Sequence, residues 1–432
     1  MDIFSLHQKF IECNQEISTD TRMLTAGSLF FAWKGEFVDG NSYAKEALEK
    51  GARYVVIDNP EYAEDSRYIL VDNSIETLAE LARYHRRQFD IPVIAIGGSN
   101  GKTTTKELTA EILRTQKDVV ASFASENNHV GVPKTLLRIT NATDIVVLEF
   151  GANHKGEIAT LCKIAEPTIG LITNIGRDHI GLFGDQAAII ESNVELYDYL
   201  RLHNRYVLVN KNNMTLMKYA KGIDQTCYGE GVKNEFGGFS QKTIPYVSLK
   251  WKNYLIQSQL TGEYNIENII AAISVGVYFD ITENHIKNAI ESYKPLNNRS
   301  ELFITEKDNI VIKDFYNANS TSMEASLNNL KDLASTYSKK KSIAILGDML
   351  ELGEFSIDEH QSVVDTAQSF DFDEVVLIGP DFKQTNHNDC IHYDNVDEAI
   401  FDLQKQNFHD SVILLKASNG TNFKKIFKEI DW

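Results

Sequence analysis

Nine residues, Gly98-Ser-Asn-Gly-Lys-Thr-Thr-Thr-Lys106, have the types and spacing needed to hold a polyphosphate. Two glycines let the backbone turn tightly and present its N–H groups to an anion. Lys102 can reach the β- and γ-phosphates, and the Thr103 hydroxyl can bind Mg²⁺. Gly98, Asn100, Gly101, Lys102, Thr103 and Thr104 are therefore candidate polyphosphate contacts. The full G-x-x-x-x-G-K-[ST] pattern is not met, because Ile96 stands at the first glycine position. The plain alternative is a Gly/Ser turn carrying a solvent lysine.

Such a loop works only between a strand and a helix, whose N-terminus adds its dipole to the loop amides. The apolar run Ile91-Pro-Val-Ile-Ala-Ile96 reads as a buried parallel strand, and Lys106–Leu113 has helical spacing. Other chemistry-bearing residues also stand at the ends of apolar runs, where open α/β sheets bind ligands. Glu149 ends Asp144-Ile-Val-Val-Leu-Glu149 and can hold Mg²⁺ opposite Thr103, or be an acid in water. His179 follows Thr168-Ile-Gly-Leu-Ile-Thr173 and can be a second metal ligand or a capped loop histidine. Asp314 ends Ile310-Val-Ile-Lys-Asp314, a place from which an acid can bind ribose hydroxyls.

The whole chain sets limits on function. Its 432 residues suffice for about three domains at ~150 residues each. Lys plus Arg number 43 against 61 Asp plus Glu, a net charge of −18 that disfavours nonspecific nucleic-acid binding. Cys13, Cys162, Cys227 and Cys390 are scattered without metal-ligand spacing and read as reduced thiols of a cytoplasmic protein. The first residues lack a basic stretch followed by an apolar one, so no signal peptide is expected. The longest apolar run, Ile269–Phe279, is too short for a bilayer that needs ~20 residues, so no membrane insertion is expected.

The pattern divides into three blocks with an α/β fold. Residues 1–88 mix short strands (Ser28–Trp33, Ala52–Ile57) with helices (Tyr43–Lys50, Ser74–Gln88). Residues 89–300 alternate strands and helices around the phosphate loop, with Arg205–Asn210 as a further core strand. In that block Tyr246–Lys252 alternates like a half-exposed antiparallel strand, and Asn265–Phe279 is helical. Residues 301–432 carry strand-like runs at Ile310–Asp314, Ile343–Leu346, Glu374–Ile378 and Val412–Lys416, a second, Rossmann-like parallel sheet.

On these residues the chain resembles the Mur ligase family over essentially its whole length, and within it the branch that adds D-alanyl-D-alanine. Ser18-Thr-Asp-Thr-Arg22 and Gly27–Ala32 look like the family's uridine-nucleotide-binding domain. Gly98–Thr104 looks like its ATP loop, with the same missing glycine. Asn127–Pro133, Glu149-Phe-Gly-Ala-Asn-His-Lys-Gly-Glu157 and Thr173-Asn-Ile-Gly176 resemble central-domain motifs. Tyr264–Asn268 is similar to the adenine-side motif, and Pro295–Ser300 to the segment with a phosphate-contacting arginine. Asp314-Phe-Tyr-Asn-Ala-Asn319 and Ile345–Gly353 resemble C-terminal-domain motifs.

The resemblance implies ATP-dependent amide formation through an acyl phosphate, with ATP and Mg²⁺ required. Lys102, Glu149, His179 and Arg299 would then be catalytic, and Thr103, Glu149 and His179 would hold metal. Asn268, Arg299 and Asp314 would complete the ATP site. Ser18, Thr19, Asp20, Arg22, Asn128, Asn317 and Asn319 would meet a UDP-linked muramoyl peptide or D-alanyl-D-alanine. A cytoplasmic monomer is expected. The chain departs from the family in three places. Asn193 stands where a carbamoylated lysine is usual, Gly181 replaces an acid, and Asn419 replaces an arginine. A ligase joining a different acid and amine, or a nucleotide-binding protein without turnover, are the other classes these changes allow.

Overall fold

The computed structural model describes residues 1–35, 38–241, 243–295, 298–337 and 340–432. Leu296 and Asn297, inside the Pro295–Ser300 segment, lie outside the described residues. The chain builds three sheets in succession. The first has strands β1 (Ile17–Ser18), β2 (Leu29–Phe31), β3 (Tyr54–Ile57) and β4 (Tyr68–Leu70), parallel and in that order.

The second holds β5 (Val93–Gly97), β6 (Val119–Ala121), β7 (Ile145–Glu149), β8 (Ile169–Ile172), β9 (Tyr206–Asn210), β10 (Asp224–Glu230), β11 (Gly237–Gln241), β12 (Ser248–Trp251) and β13 (Tyr254–Gln257). Its order is β13-β12-β11-β10-β9-β8-β5-β7-β6, parallel except where β12 and β13 join antiparallel at one edge. The third has β14 (Glu301–Ile304), β15 (Ile310–Asp314), β16 (Lys341–Gly347), β17 (Glu374–Ile378), β18 (Ile391–Tyr393) and β19 (Ser411–Lys416), ordered β14-β15-β19-β16-β17-β18. All but β14 run parallel.

The apolar runs form these strands because both faces are covered. Every residue of β5, β7, β8, β15 and β19 is buried, which rewards continuous Val/Ile/Leu over alternation. In the second sheet β5 lies between β8 and β7, so the chain leaves it to one side and later returns on the other. The crevice at such a switch point is where open sheets take ligands. The phosphate loop leaves the C-terminal end of this strand.

The first two sheets share one apolar core. Leu6, Phe10, Leu29, Phe31, Leu78 and Leu81 lie in the same cluster as Val132, Leu136, Val146 and Leu148. The helix Ser74–Arg86 joins them. Asn73 caps its start through the Ile75 and Glu76 N–H groups, and Leu78, Leu81, Ala82 and His85 fall on one buried face. In the last turn, Arg86 donates to the carbonyls of Ala165 at 3.2 Å and Glu166 at 3.4 Å. The third sheet has separate cores on its two faces. Among the described residues, only Ile180 and Ile189 bring buried central side chains into one of them, in the cluster that holds Met349 and Leu352.

His7 and His85 are buried at the join of the first two sheets. Their facing nitrogens are 3.0 Å apart, and the other His85 nitrogen lies 2.9 Å from the Ile139 carbonyl. The carbonyl fixes the proton of His85 on Nε2, so Nδ1 accepts from His7. Burial holds both rings below the ordinary imidazole value of 6.5. As pH falls through that value, the unfolded chain takes up protons before the folded one, and stability drops. The loss levels off only below the folded-state values. A His7→Gln/His85→Gln chain is expected to show a flatter dependence of melting temperature on pH below 6.5 than the wild type. Equal slopes in a pH series of thermal melts would refute it.

Candidate active site

The loop after β5 is held open by its neighbours. Gly98 and Gly101 have φ of +119° and +82°, which glycine adopts without strain. A Cβ on Gly98 would come within 2.3 Å of Thr173 Oγ1, and one on Gly101 within 2.3 Å of Asn268 Oδ1. Thr173 Oγ1 and Asn174 Nδ2 both donate to the Asn100 carbonyl, at 2.7 and 2.9 Å. The Ser99 and Asn100 N–H groups donate to the Asn174 carbonyl and Asn174 Oδ1, at 2.9 and 3.0 Å. Thr173 and Asn174 were not among the expected site residues. Their signals were the position at the end of β8 beside β5 and the motif Thr173-Asn-Ile-Gly176.

The helix expected from Lys106 begins at Lys102, because Thr103 and Thr104 form its first turn. Its N-cap is Gly101, and no side chain caps it. The first-turn amides are free of side-chain competition for an anion. Lys102 Nζ donates to the carbonyls of Gly98 at 2.5 Å and Ser99 at 2.9 Å and sits 3.9 Å from Asp178. Asp178 is itself fixed by the Ser99 hydroxyl.

Ser99 to Thr104 line a cavity of about 660 Å³ between the second and third sheets, whereas Gly98 is not among its lining residues. Gly101, Lys102, Thr103, Thr104, Asn100, Asn128, Glu149, His179 and Asn268 enter from the central side. Arg299, Asp314, Asn317 and Asn319 enter from the far side. Glu149 is 2% exposed. Its Oε1 accepts from Asn127 Nδ2 at 2.9 Å, while its buried Oε2 has no partner among the described residues. An orphaned buried carboxylate oxygen, in a cavity that Thr103 also lines, suits a hard divalent cation that also takes water and phosphate oxygens.

His179 reaches across the cavity. It has a left-handed backbone, φ 51°, and its Nδ1 bonds Glu351 of the third sheet's loops. No hydrogen bond among the described residues engages its Nε2. Arg177 pairs with Glu359 in the same direction, and Asn319 Nδ2 donates to Asn100 Oδ1 at 3.1 Å. Gly181 explains itself here. A Cβ at this position would fall 2.3 Å from the backbone of Leu352, so glycine is what lets the two bodies touch.

Asp314 is held by Ser326 Oγ at 2.7 Å, Lys416 Nζ at 2.8 Å and the Ser300 N–H at 3.1 Å. Tyr264 bonds Ser300 at 2.6 Å, and burial followed by the nearby Asp314 charge raises its hydroxyl above the usual range. Lys416 was not foreseen as part of this network, being 102 residues from Asp314. Asn268 donates to Asn265 Oδ1 at 2.9 Å and accepts from Thr105 at 3.2 Å, so its amide also braces the loop helix from behind. Asn128 Oδ1 accepts from the Val130 and Gly131 N–H groups, at 3.1 and 2.9 Å. Asn317 Oδ1 accepts from the Ala318 N–H at 3.0 Å, and Asn319 caps the helix Ser320–Thr336.

Ser18, Thr19, Asp20 and Arg22 lie at the end of β1 and outside the lining of this cavity. Arg22 hydrogen-bonds Asp20, pulling its carboxyl down to about 2, with a smaller pull from Lys134 of the central body. Asn193 also lies outside the lining, its amide donating to the Ile189 carbonyl at 2.9 Å. Glu191 and Glu195 do not supply charge to the cavity. Glu191 pairs with Lys155 at 2.5 Å, and Glu195 accepts from the Gly156 and Ala159 N–H groups at 2.6 and 2.8 Å. With no lysine at 193, turnover is expected to be insensitive to added bicarbonate. A bicarbonate-dependent rate in a steady-state assay would contradict that.

Comparison with known proteins agrees with this arrangement. Residues 15–86 match the Mur ligase family catalytic domain, 96–276 the Mur ligase middle domain, and 298–419 the Mur ligase glutamate ligase domain. The UDP-N-acetylmuramoyl-tripeptide–D-alanyl-D-alanine ligase of Bacillus subtilis is 32% identical over 96% of this chain and 92% of its own length. The Escherichia coli protein of the same name is 30% identical over 84% of this chain and 81% of its own. The crystal structure of MurF from Acinetobacter baumannii superposes with a TM-score of 0.84 at 25% identity, covering 96% of this chain and 92% of that one. The Thermotoga maritima MurF ligase in complex with ADP has the same fold, at a TM-score of 0.83 and 24% identity over 96% of this chain and 97% of that one. The chain belongs to the Mur ligase family.

Proposed function

We propose that the protein is an ATP-dependent ligase that joins D-alanyl-D-alanine to UDP-N-acetylmuramoyl-tripeptide, a step of peptidoglycan precursor synthesis. The observation that carries this reading is the kinship with ligases of that name over nearly the whole chain, loop and cavity walls included. The domain division at 88/89 and 300/301 belongs to the same reading, as does action in the cytoplasm. Among the described residues, no helix is long and apolar enough to cross a membrane.

In this reaction a carboxylate oxygen of the tripeptide attacks the γ-phosphorus, and ADP leaves with the bridging electrons. The amine of the dipeptide then attacks the acyl carbon, loses a proton, and expels phosphate. Both steps bring anions together, so cations and N–H donors must already be in place. Lys102 and the loop amides would meet the nucleotide phosphates, and Arg299, at the junction of the central and third blocks, would face them. Thr103 and Glu149 would hold Mg²⁺, with His179 near a second ion. When bound, Mg²⁺ supplies Lewis-acid screening of the phosphate oxygens. Asp314 would meet the ribose and Asn268 the adenine. Because the walls belong to two bodies, their approach encloses the acyl phosphate away from water.

Purified protein supplied with UDP-N-acetylmuramoyl-tripeptide, D-alanyl-D-alanine and ATP is expected to yield the pentapeptide, ADP and phosphate by mass spectrometry. ATP hydrolysis with a different acid and amine pair, and none with these, would sink the assignment.

A further inference from the structure

Asp178 is a buried carboxylate beside the phosphate loop, with no role yet in the reaction. It is 6% exposed and, unlike Lys102, is not among the residues lining the large cavity. A nucleotide in that cavity therefore does not meet it. Among the described residues its carboxylate has two polar partners. The Ser99 hydroxyl donates to Oδ1, and Lys102 Nζ lies 3.9 Å from Oδ2. Its backbone is anchored on both sides. The preceding residue, Arg177, pairs with Glu359, and the following one, His179, pairs with Glu351.

An ammonium has three N–H donors. The carbonyls of Gly98 and Ser99 take two from Lys102, at 2.5 and 2.9 Å, which leaves one for a phosphate oxygen. Asp178 is beyond hydrogen-bond distance and acts on the lysine through its charge. That attraction is little screened, because the two side chains are only 15% and 8% exposed. A flexible four-carbon stem keeps its aim only where its surroundings lock it. We infer that Asp178 is a positioning residue for Lys102: its charge, aimed by Ser99, holds the ammonium at the loop with one donor free for the phosphate being transferred. The inference rests on the ATP-dependent reaction described above.

Asp178→Asn in the full chain keeps the size and an acceptor for Ser99 but removes the charge. The single-turnover rate is expected to fall roughly tenfold, a coupling usual between neighbouring charged groups. The KM for ATP is expected to stay within about twofold, since the loop amides still bind the ground state. In a Lys102→Ala chain the same substitution is expected to cost less than about twofold, because the group it acts through is gone. Radiolabelled ATP keeps that chain measurable at a rate ~10³-fold below the wild type. Where Asp178→Asn melts early, Ser99→Ala carries the same comparison, as it frees the carboxylate without uncharging it. A wild-type rate in Asp178→Asn overturns the inference. So does an equal loss with and without Lys102, or an ATP KM that rises as far as the rate falls, either of which makes Asp178 a brace of the loop alone. A wild-type protein that makes no amide from D-alanyl-D-alanine overturns the ligase reading itself and is read before any variant.

Discussion

Lys102→Ala is expected to cut turnover by ~10²–10³ or more, as removal of a single preplaced transition-state donor does elsewhere. The ammonium is already gathered against the carbonyls of Gly98 and Ser99, at 2.5 and 2.9 Å. It therefore needs little reorganisation to meet a phosphate, and alanine removes both the charge and the placement. The fold should survive, because the loop is braced by Thr173 and Asn174 rather than by the lysine. Rapid-quench measurement of the first turnover, alongside a thermal melt, separates the two effects. Retention of more than about a tenth of the wild-type rate would remove the phosphate-loop assignment, since that is well under the loss this contact carries.

The second large effect is expected at Gly181, and its direction runs against the family pattern. Restoring an acid by Gly181→Glu is expected to lower kcat by about tenfold or more, because gating motions of this kind can set the rate. The cause is the Cβ and not the charge. It would meet Leu352 backbone at 2.3 Å, where nothing flexible can give way. The Gly181 N–H bond to the Glu351 carbonyl, 3.1 Å, and the His179–Glu351 contact would be strained with it. Gly181→Ala is the control, and it is expected to be nearly as harmful. If alanine is tolerated and glutamate activates, the close approach of the two bodies at this point is not part of the working cycle.

The central and third sheets were legible because their parallel strands are buried on both faces. Val/Ile/Leu runs such as Ile310–Asp314 and Glu374–Ile378 leave no other reading, and both strands form over those residues. Strands β10 and β11 escaped notice, since Asp224-Gln-Thr-Cys-Tyr-Gly-Glu230 and Gly237–Gln241 are polar or glycine-rich. They are strands because β9 offers an edge and β12 covers the next, a tertiary cause that local sequence does not carry. In the candidate site, the phosphate loop and Glu149 were visible as residue types at strand ends. The contacts across the cavity were not. His179 and Glu351 are 172 residues apart, and Asn100 and Asn319 are 219. Pairings at such separations come from docking, which leaves no periodic trace in one sequence.

The strand order of the third sheet bears on how the chain is made. β19, the last strand of that sheet in the sequence, pairs with both β15 and β16 and so lies at the middle of the sheet. During synthesis, β15 and β16 leave the ribosome with a vacant lane between them, and their apolar edges stay open until Ser411–Lys416 emerges. The first two sheets are complete earlier, since the buried residues of their common core end at Ile223 and those on the second sheet's other face at Ile290. Domains generally form in N-to-C order as they are extruded. The nucleotide loop would thus stand finished on the nascent chain while the opposite wall of its cavity is still unfolded, and chaperone contacts should concentrate on residues 310–410.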